Sequence, residues 1–248
     1  MTTVVVLADP PVPECVPDLL PDGFDADQNA ALYRAMLADV CATIQHGEGE
    51  ILINYRDPET VPDGVDPENS VRDLLDEELA DPGAVRYEVQ VGSDDAGKIG
   101  NALTHLLDTE ELPTVAFARP TALFLRREHI GTTAMQLRTS DVVIGPSTNG
   151  RVSFAAFGQQ IDFTDVFAPP AVETLTERAR SADLDVSFLP ETPLWERPED
   201  RKTALSLLRA RVRAGVLVPD RTAELVAEWG LSAVESDTVS DNSANSED

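Results

Sequence analysis

The chain has 248 residues, with 45 acidic side chains against 19 lysines and arginines and a formal net charge of −26. No basic patch remains to replace counterions along a phosphate backbone, which argues against nucleic acid as a partner. No run of about 18 apolar residues occurs, so no membrane-spanning helix is expected.

Acidic residues are scattered through every segment, and Lys98 and Lys202 are the only lysines. This distribution favours a surface adapted to molar salt, as in a halophile, where a Debye length of about 3 Å mutes carboxylate repulsion. The alternative, a nucleic-acid mimic or acidic interaction surface, would need the carboxylates clustered. Hydrophobic residues make up 42% of the chain, enough to bury a substantial core. Cys15 and Cys41 show no metal spacing, and two cysteines make no disulfide framework. A soluble, cytoplasmic protein is expected, and the residues say nothing of protein partners.

Strand and helix patterns alternate. Thr3 to Ala8 is a continuous apolar run, as a strand covered on both faces should be. A proline-rich loop, 10 to 21, leads to Asp25 and Asp27, both good helix caps. The helix that follows places Tyr33, Met36, Leu37, Val40, Cys41 and Ile44 on one face and ends at Gly47 or Gly49. Glu50 to Tyr55 reads as a strand, Pro67 to Ala80 as an acidic helix and Val85 to Val91 as a third strand. A helix over 98–107, a strand over 114–118 and a helix over 126–137 come next. Strands are expected over 141–145 and 151–157, joined by the polar loop 146–150. A helix over 170–182, a strand over 185–189 and helices over 198–214 and 221–229 complete the pattern. Such alternation predicts a mostly parallel sheet with helices on both faces, in one α/β domain spanning residues 1–231. The polar, acidic segment 232–248 lacks periodicity and is expected to be a disordered tail.

In parallel α/β sheets, ligands bind beyond the carboxyl ends of the strands. That rule selects four loops. The first, DPPVPECVPDLL, has neither the glycine nor the cation of a phosphate cradle, and a rigid cover over the sheet end is the favoured reading. In GSDDAGKIGN, the glycine spacing fails the dinucleotide rule. Asp94 and Asp95 read as caps there, and Lys98 is the best candidate for touching an anion. Arg119 closes a strand beside Pro120, ahead of Thr121. It could grip a carboxylate or phosphate bidentately, or equally pair with a surface acid. The fourth loop offers Asn149 and Arg151. His46, His105 and His129 share no ligand or triad spacing and read as helix-surface residues.

Several segments carry a family resemblance: VVVLA followed by PPVP, then NAALYRAMLADV, QVGSDDAGKIGNAL, FARPTAL and IGPSTNGRVSFAAF. Together they resemble the glycosyltransferase-A-like family of nucleotide-diphospho-sugar transferases, over Val4 to about Leu208. The resemblance implies a Rossmann-like nucleotide-diphospho-sugar transferase fold. The framework positions Pro11, Pro13, Gly97, Pro120, Gly145, Pro146 and Gly150 match the family pattern. The chemical positions differ. The family's phosphate-binding Lys-Thr-Arg falls on Pro17, Asp18 and Leu19, and its metal-binding aspartate on Ala118. Its loop aspartate falls on Asn149, its Gly-Tyr pair on Arg151 and Val152, and its helix arginine near Ile99.

Two functions follow from this resemblance. One is a glycosyltransferase- or nucleotidyltransferase-like protein acting on a nucleotide or sugar nucleotide, with Lys98, Arg119 and Arg151 replacing the missing cations. Mg²⁺ or Mn²⁺ enters only with that reading; otherwise no cofactor or metal is expected. The alternative is a non-catalytic binding or assembly module on the same fold, a pseudoenzyme.

Overall fold

The apolar run TVVVLA forms β1 (Thr3–Ala8), a central strand covered on both faces. Val4, Val6 and Ala8 join one hydrophobic core and Val5 the other, as the period-two geometry of a strand requires. The same alternation recurs in β2 (Glu50–Tyr55), where Ile51 and Ile53 face one core and Leu52 the other. The computed structural model describes residues 2–231, so the expected tail, 232–248, lies outside the described residues.

β3 (Arg86–Val89), β4 (Val115–Ala118), β5 (Val142–Ser147), β6 (Arg151–Phe157) and β7 (Val186–Phe188) complete a seven-stranded sheet of order β3-β2-β1-β4-β6-β5-β7. Neighbours are parallel except at β6, which runs antiparallel to both β4 and β5. The mixed α/β architecture and mostly parallel sheet agree with the sequence pattern.

Seven helices cover the sheet among the described residues: α1 (Ala26–His46), α2 (Pro67–Glu78), α3 (Asp95–Thr104), α4 (Arg127–Gln136), α5 (Ala171–Ser181), α6 (Arg201–Ala214) and α7 (Asp220–Glu228). α1, α2, α4, α6 and α7 pack on one face, α3 and α5 on the other. All six predicted apolar positions of α1 are buried. Asp25 alone caps it, its carboxylate accepting from Gln28 N while Gln28 Oε1 accepts from Asp25 N. Asp27 sits in the first turn instead. No helix among the described residues is long and apolar enough to cross a membrane.

Three local expectations change. β5 does not stop at Gly145 but continues to Ser147 through a register shift at Gly145/Pro146. The turn into β6 is therefore only Thr148–Gly150, and Asn149 and Gly150 take left-handed conformations at φ 62° and 68°. Asp94, not Asp95, caps α3 by accepting from Gly97 N at 2.8 Å. His129 is buried rather than on a helix surface. Its Nδ1 accepts from Arg126 N at 3.3 Å, and burial together with the nearby Arg126 charge lowers its pKa. A helix wheel cannot reveal this, because α4 packs against α1, a distant part of the chain.

Candidate functional site

The carboxyl ends of β1 and β4 open into a cleft of about 530 Å³. β6 runs antiparallel, so its first residue lies at the same sheet end as the last residue of β4. Arg119 N donates to Ser153 O at 2.9 Å, which sets Arg119 and Arg151 side by side on the cleft wall. Lys98 reaches the cleft from the first turns of α3, and Asp9 from the end of β1.

Of the residues selected from sequence, Lys98, Arg119, Thr121 and Arg151 therefore meet in one cleft. Asn149 is exposed and not on its wall. The four differ in how much of their chemistry is still available. Arg151 is 8% exposed and all five of its N–H groups are taken. Nη1 donates to Asp200 Oδ2 at 2.8 Å and Glu196 Oε2 at 3.3 Å, and Nη2 to Asp200 Oδ1 at 2.5 Å and Thr148 Oγ1 at 3.1 Å. Nε donates to Thr148 O at 3.2 Å. Burial disfavours its charge, but the Asp200 and Glu196 carboxylates outweigh that and leave its pKa raised.

Arg119 is only partly committed. Nη1 donates to Asp95 Oδ2 at 2.8 Å, and its guanidinium lies 5.3 Å from the Phe167 ring centroid. Nε is 3.5 Å from Glu196 Oε1 but makes no hydrogen bond. Thr121 is 2% exposed, and its Oγ1 has no hydrogen-bond partner although the residue lines the cleft. Lys98, half-buried, makes no ion pair within 4.0 Å among the described residues.

Sequence reasoning missed the acids that shape this field. Glu196 lies in the irregular stretch after β7 and Asp200 in the 3-10 turn, Pro198–Asp200, that leads into α6; neither carries a motif, and only the tertiary fold brings them to Arg151. Asp9 opens the loop read from sequence as a rigid cover. Its carboxyl sits among the cleft walls, and the loss of bulk water raises its pKa to about 6, against the opposing charges of Arg56 and Lys98. Arg56 Nη1 is 3.6 Å away, and the Asp9 backbone N–H donates to the Tyr33 hydroxyl at 2.9 Å.

The first loop does cover the sheet end. Leu19 and Leu20 are buried, their N–H groups donate to Asn29 Oδ1, and Trp195 Nε1 donates to Leu19 O at 3.0 Å. Ala118, where the resemblance puts the family's metal-binding aspartate, is an alanine 2% exposed, and no group of three or more His, Cys, Asp or Glu among the described residues is placed to hold a metal.

No family model matches this chain, and no curated protein matches it by sequence. Solved structures do match. A protein of Desulfovibrio desulfuricans, provisionally named a nucleotide-diphospho-sugar transferase, superposes with a TM-score of 0.71 at 18% identity, covering 92% of this chain and 95% of its own. The fold is that of the nucleotide-diphospho-sugar transferases. A 4-diphosphocytidyl-2C-methyl-D-erythritol synthase of Anaerococcus prevotii superposes with a TM-score of 0.50 at 14% identity, covering 84% of this chain and 97% of its own. At these identities the likeness is one of fold, and the transferase scaffold alone does not fix an activity.

Proposed function

We propose that this chain is a ligand-binding protein on a transferase scaffold. It takes a nucleotide-type or sugar-phosphate-type ligand with one anionic group and does not carry out metal-dependent nucleotidyl transfer. The observation that carries this reading is the saturated guanidinium of Arg151.

Transfer from a nucleoside triphosphate or sugar nucleotide builds negative charge on the departing phosphates, and that charge must be met by preorganised cations or metal ions. In this cleft Arg151 has no donor left, Arg119 shares its charge with Asp95 and Glu196, and the implied metal position is Ala118. Asp9, Asp94, Asp95, Asp165 and Glu196 also line the walls. Five carboxylates against three cations that are not saturated, Lys98, Arg119 and Arg197, would repel a triphosphate. A single phosphate or carboxylate suits the site better, with the Lys98 ammonium and the free Arg119 donors holding the charge. Phe167 and Leu7 offer apolar walls for a ring.

The test is calorimetric titration, in low and molar KCl, with nucleoside mono- and triphosphates, sugar phosphates and sugar nucleotides. Each ligand is run with and without Mg²⁺ or Mn²⁺, alongside an assay of pyrophosphate release. The expected result is metal-independent binding of a monophosphate at least as tight as that of the triphosphate. Lys98→Gln should weaken it about tenfold, and no pyrophosphate should form. Metal-dependent pyrophosphate release, or no binding of any ligand, would overturn the proposal.

A catalytic reading has one observation in its favour. Asp9, with a pKa near 6, titrates where a general base works best, and it faces the same cleft. Turnover that disappears in Asp9→Asn while ligand binding persists would favour that reading.

A further inference from the structure

Outside the cleft, several arginines meet a carboxylate, as in Arg72 with Glu68, Arg86 with Glu88 and Glu110, and Arg178 with Asp162. Arg126 and Arg211 do not, and unlike Arg34, Arg138, Arg209 and Arg213, which also have no carboxylate within 4.0 Å among the described residues, these two line one crevice. Neither guanidinium has a carboxylate within 4.0 Å among the described residues. Arg126 approaches its own neighbour, His129, with Nη2 3.4 Å from Nε2, and Arg211 lies 4.8 Å from the centroid of the Phe124 ring. Both line a crevice of about 170 Å³ between the start of α4, the end of α6 and the flank of α1. They are near enough that, after burial, the Arg126 charge is the next cause lowering the pKa of Arg211.

The crevice holds four arginines against two aspartates, the reverse of the chain as a whole. Arg221 is paired with Asp39 and Glu78, and Arg127 with Glu128. Asp39 is committed as well, since its oxygens accept from the N–H and hydroxyl of Thr222 and from Arg221. Asp220 stands exposed at the rim. Two like charges thus face one space without a counterion, in a chain with 45 carboxylates to offer. α4 begins at this space, and its positive dipole end adds to the field. Whole drug-sized ligands need pockets of about 300–1,000 Å³. This crevice is smaller and matches the volume of a charged headgroup. Paired guanidinium forks suit the oxygens of a phosphate.

We propose that Arg126 and Arg211 form an anion site for a phosphate group, either inorganic phosphate or the monoester of a small metabolite. The site is separate from the cleft and does not depend on the function proposed for it.

The test uses the full chain with inorganic phosphate and glycerol phosphate as probes, with KCl holding ionic strength constant. Thermal unfolding and ³¹P line broadening are the readouts. Phosphate should raise the unfolding midpoint and broaden the ³¹P signal. All variants carry Lys98→Gln, which weakens anion binding in the cleft; in that background Arg126→Gln should weaken the remaining phosphate binding about tenfold, and adding Arg211→Gln should abolish it. Line broadening needs only folded protein at one temperature, so it remains informative if a variant is less stable. A stronger response to the ester or to free phosphate supports the site in either case and identifies the source. No phosphate effect in Lys98→Gln, or an equal effect when Arg126→Gln and Arg211→Gln are added to it, would overturn the proposal.

Discussion

Replacing Asp200 by asparagine removes the charge that holds Arg151. Asp200 is 5% exposed, and its carboxylate accepts four N–H groups: Nη1 and Nη2 of Arg151 and the backbone amides of Glu196 and Arg197. Asparagine keeps one acceptor oxygen and turns an NH₂ group toward a donor. Removing one partner of a buried pair costs about 3–5 kcal/mol, because the other charge stays buried. The introduced amide would retain part of the network, so the lower end, about 3 kcal/mol, is expected. For a domain of this size each kcal/mol is worth about 2–4 °C, so the unfolding midpoint should fall by about 6–12 °C. Urea is the denaturant of choice, since guanidinium is itself a salt and would screen the pair. The second expected consequence is functional. Freed of its partner, Arg151 becomes available to the cleft, and the destabilised variant should bind pyrophosphate more tightly than the parent. Removing Arg151 and Asp200 together, as leucines, should cost less than the sum of the single changes. A loss below about 1 kcal/mol in Asp200→Asn, with unchanged pyrophosphate affinity, would refute the reasoning, because neither result is compatible with a buried, neutralising pair.

Other perturbations probe the remaining parts of the site. Asp9 binds its proton more tightly when folded, with a pKa of about 6 against an ordinary 3.8. Between those two values the unfolded chain ionises first, so this residue lowers stability as pH rises through the window and has no further effect above it. The urea midpoint of the parent should therefore fall relative to Asp9→Asn between about pH 4 and 6, and anion affinity should rise on acidification through pH 6 in the parent only; parallel curves would refute this. A methyl at Gly92 would lie 2.7 Å from Lys98 N and 2.8 Å from Gly97 C, at φ +143°. Gly92→Ala should lose about 1–3 kcal/mol and weaken ligand binding by shifting the start of α3, checked by urea unfolding and calorimetry. Trp195 is fully buried and ties its loop to Leu19 O; Trp195→Ala should cost about 3–5 kcal/mol in urea unfolding, and Trp195→Phe much less.

Much of the scaffold is readable from local pattern. β1 and β2 are visible because both faces are covered and each carries an apolar run, Val4 to Ala8 and Ile51 to Ile53. α1 is visible because its buried face repeats every three to four residues and Asp25 supplies a cap. The extent of β5 is not readable in this way. Pro146 looks like a strand terminator, yet a register shift lets it stay in the sheet, where proline is tolerated at a bulge. His129 misleads for a related reason, because its helix packs against α1, more than 80 residues earlier in the chain.

The sequence alone determined the alternation of strands and helices, the mostly parallel sheet and the four loops at the carboxyl ends of its strands. It also identified Lys98, Arg119, Thr121 and Arg151 as cleft candidates, since strand ends and helix starts are local features. The tertiary structure alone decided which of these groups still has chemistry to offer. Arg151 and Asp200 are 49 residues apart, and nothing in local spacing signals that they meet. A guanidinium's availability depends on what fills its five donor positions, and those partners are set by packing across the whole chain. For the same reason the unpaired Arg126 and Arg211 have no sequence signature: absence of a counterion is a property of a neighbourhood in space.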